Sequence, residues 1–212
     1  MARAKTEEVK RTRDAQATQR ALLEAGARLF AEAGYDGATL ERLAAGAGVT
    51  KAMVRYHFKD KAGLYRAVLL ETFDHVFAAV SPVREAALAP KAKLERYVAA
   101  LMEAVRARPH IQGLLIRDYA AGRIVKDKAL LASLMRLSQT TAAILEEGRK
   151  AGAFRALDAH IYHLWLVGAG AFFVSSEPFR ADLGKRRMWA GEPTFESFVR
   201  LLQTLAVKGA EK

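Results

Sequence analysis

The stretch that decides the fold reads LERLAAGAGVTKAMVRYHFKDK, from Leu40 to Lys61. Apolar residues recur in its first part at intervals of three and four, which predicts a short helix that Thr39 caps. Gly48 then interrupts the pattern, and glycine tolerates the left-handed backbone that a tight turn requires. Thr50 can cap a second short helix. Two short helices joined by a glycine turn predict a helix-turn-helix.

The second of these helices has two different faces. Val54 lies four residues before Phe58 on the side that we expect to be buried. The opposite side carries cations, hydroxyls and an aromatic ring, which suit phosphates, base edges and thymine methyl groups in the major groove. The residues predicted to contact DNA in or beside the groove are Lys51, Ala52, Met53, Arg55 and Tyr56. Those predicted to hold phosphates are Thr39, Thr50, His57 and Lys61.

Spacing alone leaves a plain packing role open, because two short helices across a glycine turn also occur in proteins that do not bind DNA. The surrounding sequence favours the DNA-binding interpretation. Residues Arg20–Gly34 show the apolar period of an amphipathic helix, and the turn Gly34-Tyr35-Asp36-Gly37 follows it. We therefore expect a three-helix unit with a core of its own.

The run from Thr18 to Leu69 resembles the N-terminal domain of TetR-type transcriptional regulators. The features that carry the resemblance are Leu29-Phe30 before the Gly34-Tyr35 turn, Thr39, Leu43-Ala44, Gly48-Val49-Thr50, and Tyr56-His57-Phe58 followed by Lys61. The resemblance implies a dimeric DNA-binding regulator with an effector cavity in its larger C-terminal domain. Arg55 departs from it, since that family often has tyrosine there, commonly as a phosphate contact. Arginine can make the same contact, so the departure concerns base preference.

The length and composition suit a small domain attached to a larger one, with 212 residues of which 51% are hydrophobic. Abundant Ala, Leu, Glu, Lys and Arg predict an all-α protein of about nine helices. We expect a basic disordered arm at 1–13, the helix-turn-helix domain at 14–60, and an effector-binding and dimerisation domain at 61–212. A helix over 61–80 would link the last two.

The net charge of +11 fits a polyanionic partner such as double-stranded DNA. Basic residues precede the first apolar period, and this arm either contacts the DNA or is a solvated tail. They are Arg3, Lys5, Lys10, Arg11 and Arg13. The chain has no cysteine, which excludes disulfides and fits a reducing cytoplasm. No signal peptide opens the sequence and no apolar run approaches the roughly 20 residues of a membrane span, so we expect a cytoplasmic protein without a membrane partner.

Two C-terminal segments, 161–174 and 195–205, are apolar around most of a helical circumference. Such helices must be buried on more than one side, so we expect a second copy to cover the side that the chain's own core leaves open. A core entirely within one chain is the alternative. The residues expected at the interface of this homodimer are Ile161, Leu164, Trp165, Gly168, Phe172, Phe198, Leu202 and Leu205. A two-fold dimer would read half-sites roughly 34 Å apart in a near-palindromic operator.

The effector cavity that the resemblance implies would be mostly apolar with a few polar groups. The residues selected for it are Tyr97, Met102, His110, Arg117, Tyr119, Met135 and Phe172. His160 and His163 have a spacing that could place both on a metal, but no third ligand pattern accompanies them, so we favour hydrogen-bonded histidines and expect neither metal nor cofactor. No catalytic motif is recognisable, which favours a protein that is not an enzyme.

These observations favour a ligand-responsive repressor, in which a small-molecule effector would shift the linking helix and thereby weaken operator binding. Two alternatives stay open. One is an activator or a regulator without an effector. The other is an all-α ligand-binding or scaffold protein whose helix-turn-helix is purely structural.

Overall fold

The computed structural model describes the backbone of residues 2–189, 191 and 193–212, with side chains described from residue 13 onward. These residues form eleven α-helices, and none of the helices is both long and apolar enough to cross a bilayer. In chain order they are α1 (Ala2–Gly37), α2 (Leu40–Gly46), α3 (Lys51–Phe58), α4 (Lys61–Glu85), α5 (Pro90–Arg106), α6 (Pro109–Ala120), α7 (Arg123–Lys126), α8 (Lys128–Lys150), α9 (Ala159–Ser175), α10 (Glu177–Lys185) and α11 (Phe195–Ala210). The all-α class is confirmed.

Two short helices, α7 and α10, account for the difference from the nine expected helices. The sequence predicts a helix end at about Ser176, before Glu177-Pro178, and α9 does end at Ser175. Pro178 then lies in the first turn of the additional helix α10, where its missing amide hydrogen has no helical partner to lose. The single-turn helix α7 is the other addition. Helix α4 also continues through Pro82, where the sequence predicts its end, and Val83 in its last turn is only 6% exposed.

The N-terminal backbone differs from the expected disordered arm, because α1 begins at Ala2. Residues 2–19 contain neither glycine nor proline and are rich in good helix formers, so local propensity continues the helix upstream without an apolar face. Arg13 is exposed. Met1 and the side chains of Arg3, Lys5, Lys10 and Arg11 lie outside the described residues, so the expected contact of this segment with DNA stays a prediction.

The chain divides into two compact units, one that ends at Glu71 and one from Thr72 to Lys212. The boundary therefore lies inside α4 rather than at its start. A Cβ placed on Gly26 of α1 would lie 3.2 Å from Val68 and 3.4 Å from Leu64, so these α4 side chains pack closely on α1. Both are fully buried. The first turns of α4 thus complete the core of the helix-turn-helix unit.

In the second unit, α5 packs against α8, α9 and α11. Gly170 of α9 allows a close approach, since a Cβ there would lie 2.6 Å from the Sδ atom of Met102 on α5. Lys93 of α5 is 5% exposed, and its ammonium lies 2.7 Å from a carboxylate oxygen of Glu147 on α8. Apolar packing and this ion pair hold α5 at the centre of the unit.

Candidate nucleic-acid interface

A turn at Gly48 joins α2 to α3. Its φ of 67° is a left-handed conformation that glycine adopts without steric cost. The amide of Val49 donates to the carbonyl of Ala44 at 3.0 Å and closes the turn. Leu43 of α2 and Val54 of α3 are fully buried. The predicted helix-turn-helix is confirmed, with the Val54 side of α3 in the core.

Threonine side chains cap both helices, as the sequence predicts. The Thr39 hydroxyl accepts from the amide of Arg42 at 3.3 Å, and the Thr50 hydroxyl accepts from the amide of Met53 at 3.4 Å. Thr50 is exposed. Because its oxygen acts as the acceptor, the hydroxyl proton stays available for a phosphate oxygen.

The outer face of α3 is open to solvent. Lys51, Ala52, Arg55 and Tyr56 are exposed, Tyr56 to 79%, and Met53 is half-buried. The Arg55 guanidinium forms no hydrogen bond or ion pair with the described residues. This face therefore presents an uncommitted cation and an aromatic ring on the same side of the helix.

Lys51 is held by an acidic residue of α2 that the sequence analysis did not select. Its ammonium lies 2.6 Å from a carboxylate oxygen of Glu41, and both side chains are exposed. The hydrogen bond from Lys51, helped by the Glu41 backbone amide and the Thr39 hydroxyl, lowers the pKa of Glu41 to about 2. Two predicted DNA contacts, Thr39 and Lys51, therefore converge on one carboxylate. The available signal was its position in the first turn of α2, two residues after the cap Thr39.

Lys61 has acceptors within the chain, and its expected role as a phosphate contact stays a prediction. Its ammonium donates to the carbonyls of Tyr35 and Ala38, each at 3.0 Å, and lies 4.3 Å from the centre of the Tyr35 ring. These acceptors lie at the end of α1, where backbone carbonyls lack helical partners. Lys61 thus ties the end of α1 to the start of α4.

His57 lies beside Tyr56, with their ring centres 5.1 Å apart. Its Nε2 atom is buried and has no hydrogen-bond partner among the described residues, so a phosphate contact through that nitrogen requires the ring to move.

Two exposed cations next to this surface escaped the sequence analysis, Arg42 on α2 and Lys59 at the end of α3. Their positions on the helix-turn-helix were the only available signal.

The residues selected for one effector cavity do not converge on one cavity. Tyr97 and Met102 are fully buried core side chains. His110 lines a cavity of about 710 Å³, whereas Tyr119 lines a separate cavity of about 40 Å³. The remaining three, Arg117, Met135 and Phe172, are exposed and line neither of these cavities. Residue type alone selected them, and packing separates them.

A chain of buried polar groups joins α5, α8 and α9. The hydroxyl of Tyr97 lies 2.5 Å from that of Thr141, which in turn lies 2.8 Å from Nδ1 of His163. Burial, with a contribution from His160, lowers the pKa of His163 to about 4. His160 is hydrogen-bonded to Ser138 of α8 at 2.8 Å. Within the described residues, no three metal-ligating side chains are grouped so as to hold an ion.

Helix α9 carries a stripe of exposed apolar side chains, which we call the α9 stripe. Its members are Ile161 and Leu164, each 67% exposed, Trp165 at 40%, and Phe172 at 71%, with Gly168 also exposed between them. On α11, Leu205 is 49% exposed and Phe198 is half-buried. Leu202 is a correction, since it is 4% exposed and lies in the chain's own core. It follows the exposed Leu201 by one residue, which turns it about 100° around the helix.

Comparison with known proteins places this architecture. Residues 22–68 match the profile of the bacterial regulatory proteins of the tetR family. The HTH-type transcriptional regulator RutR of Escherichia coli K12 is 30% identical over 158 residues, which cover 74% of this chain and 74% of RutR.

Two solved structures share the fold. The fatty acid degradation regulator FadR from Bacillus halodurans has a TM-score of 0.70 at 17% identity, covering 91% of this chain and 95% of that one. AibR in complex with isovaleryl coenzyme A and operator DNA has a TM-score of 0.68 at 17% identity, covering 89% of this chain and 97% of that one. The chain belongs to the TetR family of bacterial transcriptional regulators.

Proposed function

We propose that this TetR-family regulator binds a near-palindromic operator as a homodimer and represses transcription until a small-molecule effector releases it from DNA. The observation that carries the proposal is the position of α3 in the helix-turn-helix. One face of this helix is exposed to solvent, and its opposite face is buried. A helix of this kind fits the major groove, which is wide enough to admit it.

The groove contacts follow from the chemistry of the exposed side chains. Arg55 is free to pair with a guanine edge or a phosphate, and Lys51 becomes free when it leaves Glu41. Ala52 and the Tyr56 ring offer apolar contact to thymine methyl groups. Thr50 donates to a phosphate at the start of α3, where the helix dipole also favours an anion.

The α9 stripe supports the homodimer. Large apolar side chains exposed in a continuous stripe mark an interaction surface, because burying them gains about 25 cal/mol for each Å² of apolar surface. Leu201 and Leu205 extend the same chemistry to α11. A second copy offers an identical apolar surface, so a two-fold arrangement of α9 and α11 from each chain would cover both stripes.

An effector can release the regulator from DNA only if it binds one conformation of the protein more tightly than another. The unit from Thr72 to Lys212 contains a cavity of about 710 Å³, which lies within the usual size range of small-molecule sites. The fold relative AibR, solved with both isovaleryl coenzyme A and operator DNA, supports the same pairing of ligands here. The coupling is reciprocal, so operator DNA weakens effector binding by the factor by which effector weakens DNA binding.

Selection of bound duplexes from a random library tests the DNA-binding part. We expect an enriched near-palindrome, and a library without an enriched inverted repeat would contradict the proposed mode of binding. A reporter driven by the selected site then distinguishes repression from activation, since removal of the regulator raises expression only if it represses.

Leu164→Glu tests the homodimer, because it places a charge in the α9 stripe. We expect this variant to sediment as a monomer and to lose operator binding. Val125→Glu is the matched control, since Val125 on α7 is 61% exposed and lies outside the stripe. A wild-type chain that stays monomeric at every concentration would overturn this part.

A further inference from the structure

The larger cavity has the dimensions and walls of a ligand site. It encloses about 710 Å³ between the end of α5, the start of α6, the end of α9, α10 and the start of α11. Phe173 and Phe195 supply aromatic walls, and Phe173 stacks on Phe198 with ring centres 4.1 Å apart. An aromatic wall of this size suits the apolar body of a small molecule.

A buried cation forms part of the same wall. Arg180 of α10 lines the cavity and is only 9% exposed. Its Nη1 donates to the carbonyl of Phe173 and, at 2.8 Å, to the hydroxyl of Ser176. Its guanidinium lies 3.7 Å from the centre of the Phe173 ring, which fixes its orientation. The arginine is therefore held in place before any ligand arrives.

The Arg180 guanidinium is incompletely satisfied. Its Nε atom is buried and donates to no acceptor among the described residues, and no described carboxylate forms an ion pair with it. A buried charge without a counter-ion is costly, and so is a buried donor without an acceptor. An anionic group in the cavity would supply both the missing charge and the missing acceptor.

The other ionisable groups of the cavity also favour an anion. Arg106 lines it with its guanidinium 4.7 Å from the centre of the Phe195 ring, although Glu103 holds the same guanidinium at 2.7 Å. His110 adds an imidazole, and Glu177 is the one carboxylate among the described lining residues. The smaller cavity is only about 40 Å³, too small for such a ligand as it stands.

We infer that this cavity binds a carboxylic acid with an apolar chain or ring, whose carboxylate pairs with Arg180 and whose apolar body packs on Phe173 and Phe195. Guanidinium and carboxylate form strong, charge-assisted hydrogen bonds. The proposed binding of this acid rests on the geometry of the cavity alone. Only its regulatory consequence, release of operator DNA, depends on the proposed function.

Three probes of equal chain length and different head groups test the inference by calorimetry on the full chain. They are decanoate, decan-1-ol and decyltrimethylammonium. We expect one decanoate per chain, with the alcohol and the cation weaker by about tenfold or more, since charged hydrogen bonds contribute that much. An alcohol that binds as tightly as decanoate would overturn the inference. The purely apolar α9 stripe would bind all three without regard to charge.

Arg180→Met removes the cation and keeps an apolar side chain. We expect it to weaken decanoate about tenfold while decan-1-ol binding stays unchanged. The control is Arg186→Met, because Arg186 follows α10, is exposed and pairs with Asp182. Unchanged decanoate binding by Arg180→Met would overturn the inference. If Arg180→Met does not fold, Glu177→Gln decides, since removing this carboxylate must tighten decanoate and leave decan-1-ol unaffected, and an unchanged decanoate affinity would overturn the inference.

An operator-binding assay with decanoate separates the two proposals. Arg180-dependent binding of decanoate without any change in operator affinity upholds the site and overturns its role in release. Operator binding by a protein that does not bind decanoate overturns the site and leaves the DNA-binding proposal standing.

Discussion

The two units of the chain expose opposite kinds of surface. On α3, Lys51, Arg55 and Tyr56 present charge and hydrogen-bonding groups to water. On α9, Leu164 and Phe172 present large apolar side chains. The first surface is well solvated in water, and DNA phosphates can replace its counterions. The second is unfavourable in water, which supports the proposed interface between copies.

The two units also differ in where they place their polar groups. In the second unit they are buried and joined to one another, as in the series Tyr97, Thr141 and His163. In the first unit the polar groups of the DNA-binding face stay accessible. The comparison teaches that the proposed DNA and dimer surfaces differ in the chemistry that the chain leaves exposed, polar on α3 and apolar on α9, whereas the proposed ligand site depends on groups that the chain buries.

The largest expected effect separates two leucines of α11. Leu202→Ala empties a core position that is 4% exposed and should lower the free energy of unfolding by about 2–5 kcal/mol. Leu205→Ala, at a position 49% exposed, should leave that core intact and weaken dimerisation instead. Chemical denaturation and sedimentation measure the two effects. Equal losses of unfolding free energy would remove the distinction between core and interface.

Acid should destabilise the second unit through His163. Its pKa is about 4 in the folded protein against an ordinary 6.5, so the unfolded chain binds a proton that the folded chain does not. The stabilisation is complete above pH 6.5 and falls by up to about 3 kcal/mol as the pH drops towards 4.

Far-UV circular dichroism during urea unfolding at several pH values measures this fall. His163→Gln should be less stable at pH 7 but should show a flatter profile between pH 6.5 and 4. Parallel profiles for the two proteins would show that another group governs the acid sensitivity.

The first unit could be predicted in detail because its signals are local. Thr39, Gly48, Thr50 and Val54 define caps, turn and core within a short stretch, and the structure places each as expected. The structural contacts of Lys61 could not be predicted, because its acceptors lie more than twenty residues earlier in the chain and become visible only when α1 and α4 pack together.

The second unit could be predicted only in outline. The apolar residues around most of the circumference of segment 161–174 indicated the α9 stripe, because the chain's own core covers only one side of such a helix. The larger cavity escaped prediction because Arg180, Phe173 and Phe195 come from three separate helices. Its shape depends on packing over long sequence distances, which periodicity does not report.

Arg55 and Lys61, two cations of the first unit, allow the loss of a DNA contact to be distinguished from the loss of a structural contact. Arg55→Ala should weaken operator binding by about 1–3 kcal/mol if the guanidinium reads a base, or reduce the salt dependence by about one unit if it holds a phosphate. Thermal stability should not change, because the Arg55 guanidinium forms no hydrogen bond or ion pair with the described residues. Anisotropy titrations at several salt concentrations measure both quantities.

Lys61→Met is the matched comparison. Loss of the hydrogen bonds to Tyr35 and Ala38 should lower the free energy of unfolding by about 1–3 kcal/mol. The salt dependence of operator binding by the folded protein should stay as in wild type. A salt slope reduced as in Arg55→Ala, with unchanged stability, would restore Lys61 as a phosphate contact.

The smallest expected effect concerns Glu41, a negatively charged residue on the surface that we propose binds negatively charged DNA. Its carboxylate holds the Lys51 ammonium at 2.6 Å and stays ionised, because these contacts lower its pKa to about 2. Glu41→Gln should free Lys51 and remove a negative charge near the phosphates, so binding to DNA of any sequence should tighten by less than about tenfold, as for other exposed pairs. Because the gain is electrostatic, it should fade at high salt and leave the choice of operator unchanged. Competition titrations with operator and random duplexes measure this, and a gain confined to the operator would mean instead that Lys51 reads a base.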